Sequence, residues 1–195
     1  MKLIFATNNQ HKVDEIRHAI NSRFELLSLK EAGIEIDIPE PHNSLEENAS
    51  EKSRTIFQIT HTNCFSEDTG LEVTALNREP GVKSARYAGE GKSFDKNIDK
   101  LLAKLEGKMD TTARFRTVIS LILDGNENQF EGICTGMITR ERKGANGFGY
   151  DPIFIPDGSD KTFAEMELAE KDRFSHRAKA TQKLVAFLNT LEPKL

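Results

Sequence analysis

Residues 113–123, with the sequence ARFRTVISLIL, are the stretch that decides the fold class of this chain. Seven of its eleven residues are apolar and four are β-branched, which is typical of a buried strand. The tripeptide Asp124-Gly125-Asn126 follows as a tight turn, and residues 129–139 return as a second strand. The two stretches therefore predict an antiparallel hairpin in the second half of the chain.

Outward from this hairpin, strand patterns alternate with helix patterns. Further strands are predicted at residues 2–7, at residues 24–29, and from Phe65 to an end at Asp68-Thr69-Gly70. Helices are predicted around residues 13–20, over residues 44–60 behind a Ser44/Glu47 capping box, over residues 98–105, and from about Ser175 onward, with turns at Pro80-Gly81 and at residues 144–149. Alternation followed by a hairpin predicts an α/β fold, a mixed sheet flanked by helices, in one domain over residues 1–195.

The charge balance excludes one broad class of function. The 195 residues include 27 Lys plus Arg and 31 Asp plus Glu, which gives a net charge of −4 and a pI of about 5.8. A strongly basic nucleic-acid binder needs a large cationic surface, so nucleic acid is not an expected partner. Hydrophobic residues at 37% and charged residues at 30% are typical of a globular chain rather than a disordered or fibrous one.

The cysteines and the N-terminal sequence bear on the compartment. Cys64 and Cys134 belong to no CxxC pair, so neither a zinc site nor a disulfide framework is indicated. The apolar run at residues 3–6 is shorter than the ~7–15 residues of a signal-peptide core or the ~20 residues of a membrane span. We therefore expect a cytoplasmic protein in a reducing compartment, with no membrane association.

Four short segments carry polar side chains suited to chemistry. The first joins the first strand to the first helix and consists of Thr7, Asn8, Asn9, Gln10, His11 and Lys12. Backbone N–H groups at a helix start, together with Lys12, can bind an anion, whereas Asn9 can equally be a plain helix cap. The second is Lys52, on the apolar stripe of the 44–60 helix beside Asn48. A lysine there either extends to solvent, the commoner outcome, or meets an anion.

The third segment is SEDTG, residues 66–70. Two adjacent acids at a strand end suit Mg²⁺, which takes one or two carboxylates and leaves its other positions to water and phosphate. Alternation along a strand sends Glu67 and Asp68 to opposite faces, so one of them is expected to face a cleft. The alternative is a turn with exposed acids.

The fourth segment, residues 170–177, places His176 and Arg177 at the start of the last helix. Cations there oppose the helix dipole, which favours the interpretation that an anion normally lies beside them. Phe148 and Tyr150, in the glycine-rich turn, are either a stacking face for a base or core residues. Together the four segments suit a phosphorylated nucleotide with Mg²⁺ and do not specify the reaction.

These segments resemble the motifs of the inosine triphosphate pyrophosphatase family, the Ham1/RdgB-like pyrophosphatases of non-canonical purine nucleoside triphosphates. The resemblance runs from Thr7 to Arg177, with the motifs in the family's order. They are Thr7-x-Asn9-x-x-Lys12, Glu47-Asn48-Ala49-x-x-Lys52, Asp68-Thr69-Gly70-Leu71, Pro80-Gly81, SARYAGE (84–90), GFGYDPIF (147–154), Glu170-Lys171 and Ser175-His176-Arg177. Each motif alone is weak, whereas the ordered set is highly specific.

The resemblance implies an elongated α/β fold of two lobes with a central cleft, usually found as a homodimer. It implies Mg²⁺-dependent hydrolysis of ITP, dITP and XTP to the monophosphate and pyrophosphate, which cleanses the nucleotide pool of deaminated purines. Two alternative functions stay open at this point. They are a non-catalytic nucleotide-binding module and a pyrophosphatase for another modified nucleotide.

The resemblance also implies a role for each motif residue. Asp68 matches the general base and, together with Glu40, the metal ligands. Residues 7–12 and Lys52 would bind the phosphates, and Thr69 would contact the substrate. The base and sugar pocket would be formed by Phe148, Gly149, Tyr150, Asp151, Lys171, His176 and Arg177.

Overall fold

The computed structural model describes residues 2–20 and 24–191, which fold into one mixed sheet with helices around it. The strands are β1 (Lys2–Phe5), β2 (Glu25–Ser28), β3 (Cys64–Val73), β4 (Pro80–Gly81), β5 (Thr112–Leu123), β6 (Asn126–Ile138) and β7 (Phe154–Pro156). The helices are α1 (Gln10–Ala19), α2 (Leu45–Thr60), α3 (Phe94–Lys104), α4 (Leu168–Lys171) and α5 (His176–Asn189). Within this part of the chain, no helix has both the length and the apolar content needed to cross a membrane.

The sheet contains both parallel and antiparallel pairs, as the sequence predicts. Its strand order is β2-β1-β3-β5-β6-β7, with β4 paired to β3. The first strand, β1, runs parallel to both β2 and β3, whereas β4 is antiparallel to β3 and β7 is antiparallel to β6. The predicted hairpin is confirmed as β5 and β6, joined by Asp124 and Gly125 at φ values of 49° and 83°. Two consecutive residues at positive φ are typical of the tight turn that matches strand twist.

The predicted end of the third strand at residues 68–70 is wrong, because β3 continues to Val73. Gly70 lies inside the strand, where the backbone of β4 approaches closely. A Cβ atom on Gly70 would lie 2.7 Å from the carbonyl oxygen of Gly81. The glycine therefore permits a close approach between strands rather than a chain turn. Pro80-Gly81, predicted as a turn, forms the short strand β4, which pairs antiparallel with β3.

The helix that begins after Ser44 is confirmed over the predicted range. The hydroxyl oxygen of Ser44 accepts a hydrogen bond from the backbone N–H of Glu47 at 3.2 Å and donates one to the Glu47 carboxylate at 2.7 Å. This cap satisfies an N–H group that the first turn of α2 leaves without a helical partner. The helix carries Asn48 and Lys52, both buried, one turn apart.

The chain forms two compact units, each with its own apolar core. The first comprises Met1–Asp68, Thr117–Gly132 and Arg177–Leu195, and the second comprises Thr69–Arg116 and Ile133–His176. In the first core, the rings of Phe5 and Phe65 stack at 4.6 Å between centroids. In the second core, Phe115 packs edge-on against Phe154 at 4.7 Å. The single domain with a central cleft stays a prediction.

Both cysteines are free and buried, so thiol chemistry tests this fold directly. Cys64 is 0% exposed and Cys134 is 2% exposed. Burial raises the pKa of the Cys64 thiol to about 12. Because the thiolate is the reactive form, we expect neither cysteine to react with a thiol reagent near pH 8 while the protein is folded.

Absorbance measured with an aromatic disulfide reagent checks this expectation. Two thiols should react after unfolding in concentrated guanidinium, and none before it. A Met109→Cys variant provides a reactive reference, because the Met109 side chain is 99% exposed. Rapid reaction of a native thiol in the unchanged protein would contradict the burial described here.

Candidate functional site

Two adjacent carboxylates in β3, Glu67 and Asp68, organise the polar residues of the first unit. Both are buried, at 1% and 6% exposure, so the alternative of a turn with exposed acids is wrong. Strand alternation sends neighbouring side chains to opposite faces. The two carboxylates accordingly have different principal partners, and each forms the centre of a separate cluster.

Glu67 is held by two cations that come from distant parts of the chain. Its carboxylate lies 2.9 Å from Nζ of Lys12 and accepts hydrogen bonds from Nε and Nη2 of Arg177, both at 2.8 Å. The third guanidinium nitrogen, Nη1, donates to the carboxylate of Glu15 in α1. Arg177 thus makes a bidentate contact with one buried acid and a single contact with another.

These contacts keep the buried groups charged. Burial opposes ionisation of Glu67, but the positive charges of Arg177 and Lys12 lower the pKa of its carboxyl far below the usual range. Burial likewise opposes the charge of Arg177, and the carboxylates of Glu67 and Glu15 raise its pKa. The pairs compensate one another in a low-dielectric setting, where a single unpaired charge would be costly.

The interpretation that an anion lies beside the cations of the last helix corresponds, at Arg177, to carboxylates of the protein itself. Arg177 is the second residue of α5, and the anions beside it are the protein's own Glu67 and Glu15. Lys12 stands in the first turn of α1 and has the same internal anion.

The remaining residues of the 7–12 segment make contacts within the first unit. Asn9 caps α1 by accepting from the backbone N–H of Lys12, which confirms the cap interpretation. The amide of Asn8 donates to the carbonyl of Ile36 at 2.8 Å, and that of Gln10 donates to Asp14 at 2.7 Å. Thr7 is half-buried, and His11 is exposed. A role for this segment in phosphate binding stays a prediction.

The second cluster surrounds Asp68. Nζ of Lys52 lies 2.5 Å from Oε1 of Glu40 and 3.5 Å from Oδ1 of Asp68. The amide nitrogen of Asn48 donates to Oδ2 of Asp68 at 3.2 Å, and the same side chain is held by the backbone of His42. Lys52 is only 7% exposed, so the expectation that it extends to solvent is wrong and the anion alternative is confirmed.

The environment of Asp68 shifts its proton affinity in the direction opposite to that of Glu67. Burial raises the pKa of the Asp68 carboxyl, Lys52 partly opposes this, and the nearby negative charge of Glu40 adds to the rise. Burial opposes the charge of Lys52, yet Asp68 and Glu40 raise the pKa of its ammonium. Environments that push two neighbouring carboxyls apart in pKa commonly assign them different chemical roles.

The donor set of this cluster is compatible with Mg²⁺. Glu40 and Asp68 each contact the Lys52 ammonium, at 2.5 and 3.5 Å, so the cluster contains two carboxylates at one cation. The part of the chain that the structure describes contains no group of three or more His, Cys, Asp or Glu side chains able to hold a metal. Two carboxylates suffice for Mg²⁺, which keeps several waters and binds substrate phosphates.

The second unit gathers a different set of predicted site residues around Asp151. The Asp151 carboxylate accepts from the backbone N–H of Phe148 at 2.8 Å and from Nζ of Lys171 at 2.7 Å. The same ammonium lies 5.6 Å from the centre of the Phe148 ring and 5.2 Å from that of Phe163. A buried cation, its carboxylate and a half-buried aromatic ring therefore meet in one glycine-rich turn.

His176 and Tyr150 are both anchored in the aromatic core of this unit. The imidazole of His176 stacks on Phe115 at 4.6 Å with an interplanar angle of 10°. Tyr150 is 4% exposed and donates its hydroxyl to the backbone carbonyl of Ser84 at 2.9 Å. The core alternative is therefore confirmed for the Tyr150 ring, and Phe148 is the ring left for a stacking face. Thr69, half-buried in β3, keeps its substrate role as a prediction.

Sequence reasoning missed Glu15 as a member of the Glu67 cluster. Its signal is weak: it stands three residues after Lys12, on the same helical face, where i and i+3 residues are neighbours. It assigned no role to Asn48, which it noted as a neighbour of Lys52 and as a member of the Glu47-Asn48-Ala49-x-x-Lys52 motif. The pairing of Glu67 with Arg177 spans 110 residues, so local spacing could not reveal it.

Comparison with known proteins gives the family. The family model described as the Ham1 family matches residues 3–187. A dITP/XTP pyrophosphatase of Christiangramia forsetii is 49% identical over 189 residues, covering 97% of this chain and 100% of that protein. One from Porphyromonas gingivalis is 49% identical over 188 residues, covering 96% of this chain and 97% of that protein. The chain therefore belongs to the Ham1 family.

Solved structures agree with this membership. The structure is similar to that of the Staphylococcus aureus Ham1 protein, with a TM-score of 0.88 and 39% identity, covering 97% of this chain and 99% of the other. It is also similar to that of a HAM1 protein from Coxiella burnetii, with a TM-score of 0.89 and 34% identity, covering 98% and 100%. The predicted fold class and the predicted family are both confirmed.

We expect Gly147→Ala to disrupt the Asp151 cluster. A Cβ atom on Gly147, at φ +73°, would lie 2.1 Å from Oδ2 of Asp151. Gly149→Ala is the matched control, because its φ is also positive, +64°, and nothing lies within 4 Å of the added atom. The control should lose about 1–2 kcal/mol from backbone strain, and Gly147→Ala should lose ~1–3 kcal/mol more. Urea unfolding measures both, and equal losses would contradict this account.

The Glu67 cluster predicts a large cost for neutralising a buried acid. In Glu67→Gln, the buried Arg177 and the half-buried Lys12 lose the negative charge that they share, and we expect unfolding to become easier by ~3–5 kcal/mol. Glu170→Gln serves as the reference, because its pair with Lys161 is solvent-exposed on both sides and should contribute about 1 kcal/mol at most. The free energy of unfolding in urea is the measurement. Similar values for the two variants would rule out a tightly coupled buried cluster.

Proposed function

We propose that this protein hydrolyses the non-canonical purine nucleoside triphosphates dITP, XTP and ITP to the monophosphate and pyrophosphate. Two findings support the proposal: membership of the Ham1 family over residues 3–187, and the name dITP/XTP pyrophosphatase borne by relatives at 49% identity. The reaction would remove deaminated purines from the nucleotide pool.

The observation that carries the catalytic part is the contrast between Glu67 and Asp68. The pKa of Glu67 is lowered by its two cations, so it stays an ion-pair partner. The pKa of Asp68 is raised by burial, which makes its carboxylate a better proton acceptor than that of Glu67. We therefore assign Asp68 as the general base, and its hydrogen bond from Asn48 orients the carboxylate.

In the proposed step, a water oxygen attacks the α-phosphorus and its proton passes to the Asp68 carboxylate. The bond between the α-phosphorus and the bridging oxygen breaks, and pyrophosphate leaves. Lys52 and Lys12 each have three N–H donors, enough to contact their carboxylates and a phosphate oxygen together. Their charges would stabilise the negative charge that grows on the leaving group.

Mg²⁺ is part of the proposal, with Glu40 and Asp68 as its protein ligands. When bound, the ion lowers the pKa of a coordinated water and neutralises phosphate charge. The chain's own contribution is the Lys52 ammonium, which contacts both carboxylates and restrains their positions. Residues 7–12 and Thr69 would hold the rest of the substrate.

Base recognition is assigned to the Asp151 cluster. Phe148 offers an aromatic face, and Lys171, whose ammonium is fixed by Asp151, offers only hydrogen-bond donors. Hypoxanthine and xanthine present a carbonyl acceptor at C6, whereas adenine presents an amino donor that would leave the site's donor without a partner. The pocket is proposed to include Gly149, Tyr150, His176 and Arg177 as well, and the last of these donates to Glu67 and Glu15 here.

The proposal extends to assembly and compartment. A homodimer is the assembly that the family resemblance implies, and analytical ultracentrifugation measures it. The two free, buried cysteines support a reducing compartment such as the cytoplasm. The net charge of −4 supports a small-molecule substrate rather than nucleic acid.

A turnover assay with Asp68→Asn tests the reaction and the base together. The wild type with Mg²⁺ should release pyrophosphate from ITP, dITP and XTP, with little from ATP or GTP. Asp68→Asn removes the proton acceptor while keeping the side chain's size, so we expect kcat to fall by about 10²–10⁴-fold. Asp110→Asn, on an exposed residue outside both clusters, is the control and should keep full activity.

Each other outcome has a specific meaning. Orthophosphate in place of pyrophosphate would assign cleavage to a different phosphoanhydride bond. Tight nucleotide binding without turnover would favour the binding-module alternative, and turnover only of modified pyrimidine nucleotides would favour a pyrophosphatase of other specificity. Near-normal kcat in Asp68→Asn would overturn the assignment of the base.

A further inference from the structure

Phe94 is a large apolar side chain that stays 41% exposed at the first position of α3. Its ring lies 6.0 Å from that of Phe148, centroid to centroid, with an interplanar angle of 48°. This tilted arrangement is within the range that aromatic pairs prefer. Phe94 belongs to none of the motifs on which the family resemblance rests.

The N-terminal end of α3 makes a second contact with the segment that carries Phe148. Nη2 of Arg142 lies 2.7 Å from a carboxylate oxygen of Asp99 and donates to the backbone carbonyl of Asp95 at 3.1 Å. Six residues further along the chain, the Phe148 ring meets Phe94. The first turns of α3 thus contact residues 142–148 by a polar link and by an aromatic one.

The backbone and the ring of Phe148 are held by different contacts. Asp151 fixes the backbone N–H of Phe148, and Lys171 lies 5.6 Å from the ring centre. Neither contact fixes rotation about the bond between the side chain's Cα and Cβ. A neighbouring ring at 6.0 Å restricts that rotation, and a planar stacking partner is effective only in one orientation.

We propose that Phe94 is a positioning residue for base recognition, which acts by holding the Phe148 ring in the orientation that stacks on a purine. The inference rests on the proposed function, since it deepens the role of the same aromatic ring. It predicts that loss of Phe94 weakens binding of the base and leaves the phosphate chemistry at Asp68 unchanged.

Steady-state kinetics of Phe94→Ala with ITP test the proposal. We expect KM to rise about 3–10-fold, the range of one aromatic pair, while kcat stays within about two-fold. Inhibition by tripolyphosphate, which has the phosphates and no base, should be unchanged. Phe94→Tyr keeps a ring and should restore the wild-type KM, and Met109→Ala, at a 99% exposed position, is the control for surface truncation.

A purely structural role predicts a different set of results. If Phe94 only stabilised α3, then Phe94→Ala would weaken the binding of tripolyphosphate and of ITP equally, or its loss of activity would be accompanied by a matching fall in the melting temperature. Either result, or a KM within two-fold of wild type, would overturn the proposal. A double-mutant cycle with Phe148→Ala adds a second criterion, because effects on KM that simply multiply would show that the two rings act independently.

Calorimetric binding of inosine monophosphate separates this proposal from the proposed function. The base should bind through Phe148 whether or not the protein turns over, so Phe94→Ala should weaken binding by a similar factor. A wild type that binds the nucleotide but releases no pyrophosphate would overturn the proposed reaction alone. Equal binding by wild type and Phe94→Ala would overturn the positioning role alone, and a wild type that binds no nucleotide would overturn both.

Discussion

The ion pair between Glu67 and Arg177 is the interaction on which the first unit depends. It joins a strand residue to the second residue of the last helix, 110 positions further along the chain, and it is shielded from water. Lys12, from the first helix, completes the coordination of the same carboxylate. A buried charge persists only if its partners are held in good geometry, so this cluster fixes α1, β3 and α5 against one another within the unit.

Alternation of side chains along β3 gives Glu67 and Asp68 different surroundings. Because Glu67 is committed to its cations, Asp68 must project from the other face of β3. There it contacts Lys52 and Asn48 of α2, and the negative charge of Glu40 adds to the rise in its pKa that burial causes. The result is one carboxyl held firmly ionised and a neighbour with raised proton affinity, a division of roles that no isolated Glu-Asp dipeptide would have.

The second unit fixes its residues mainly through backbone geometry and aromatic packing. Gly147 stands where any Cβ would strike the Asp151 carboxylate, so the turn brings that carboxylate against the backbone of Phe148. Asp151 in turn holds Lys171 beside the Phe148 ring. Charge pairing holds the Glu67 cluster, whereas the Asp151 cluster combines an ion pair with a close backbone approach at Gly147. Neutralising an acid is therefore the sensitive change in the Glu67 cluster, and adding a Cβ atom is a sensitive change in the Asp151 cluster.

The sequence by itself determined the fold class, the hairpin of β5 and β6, the helix behind Ser44 and the family. These features depend on local patterns: the period of apolar residues, a turn with Gly125 at its centre, and a serine with a glutamate three residues on. Tertiary structure alone decided that β3 continues past Gly70, that Lys52 is buried between two acids, and that the anion beside Arg177 belongs to the protein itself. Each of these features depends on a partner that is distant in the chain. Local sequence patterns do not indicate which distant group will supply a hydrogen bond or an opposite charge.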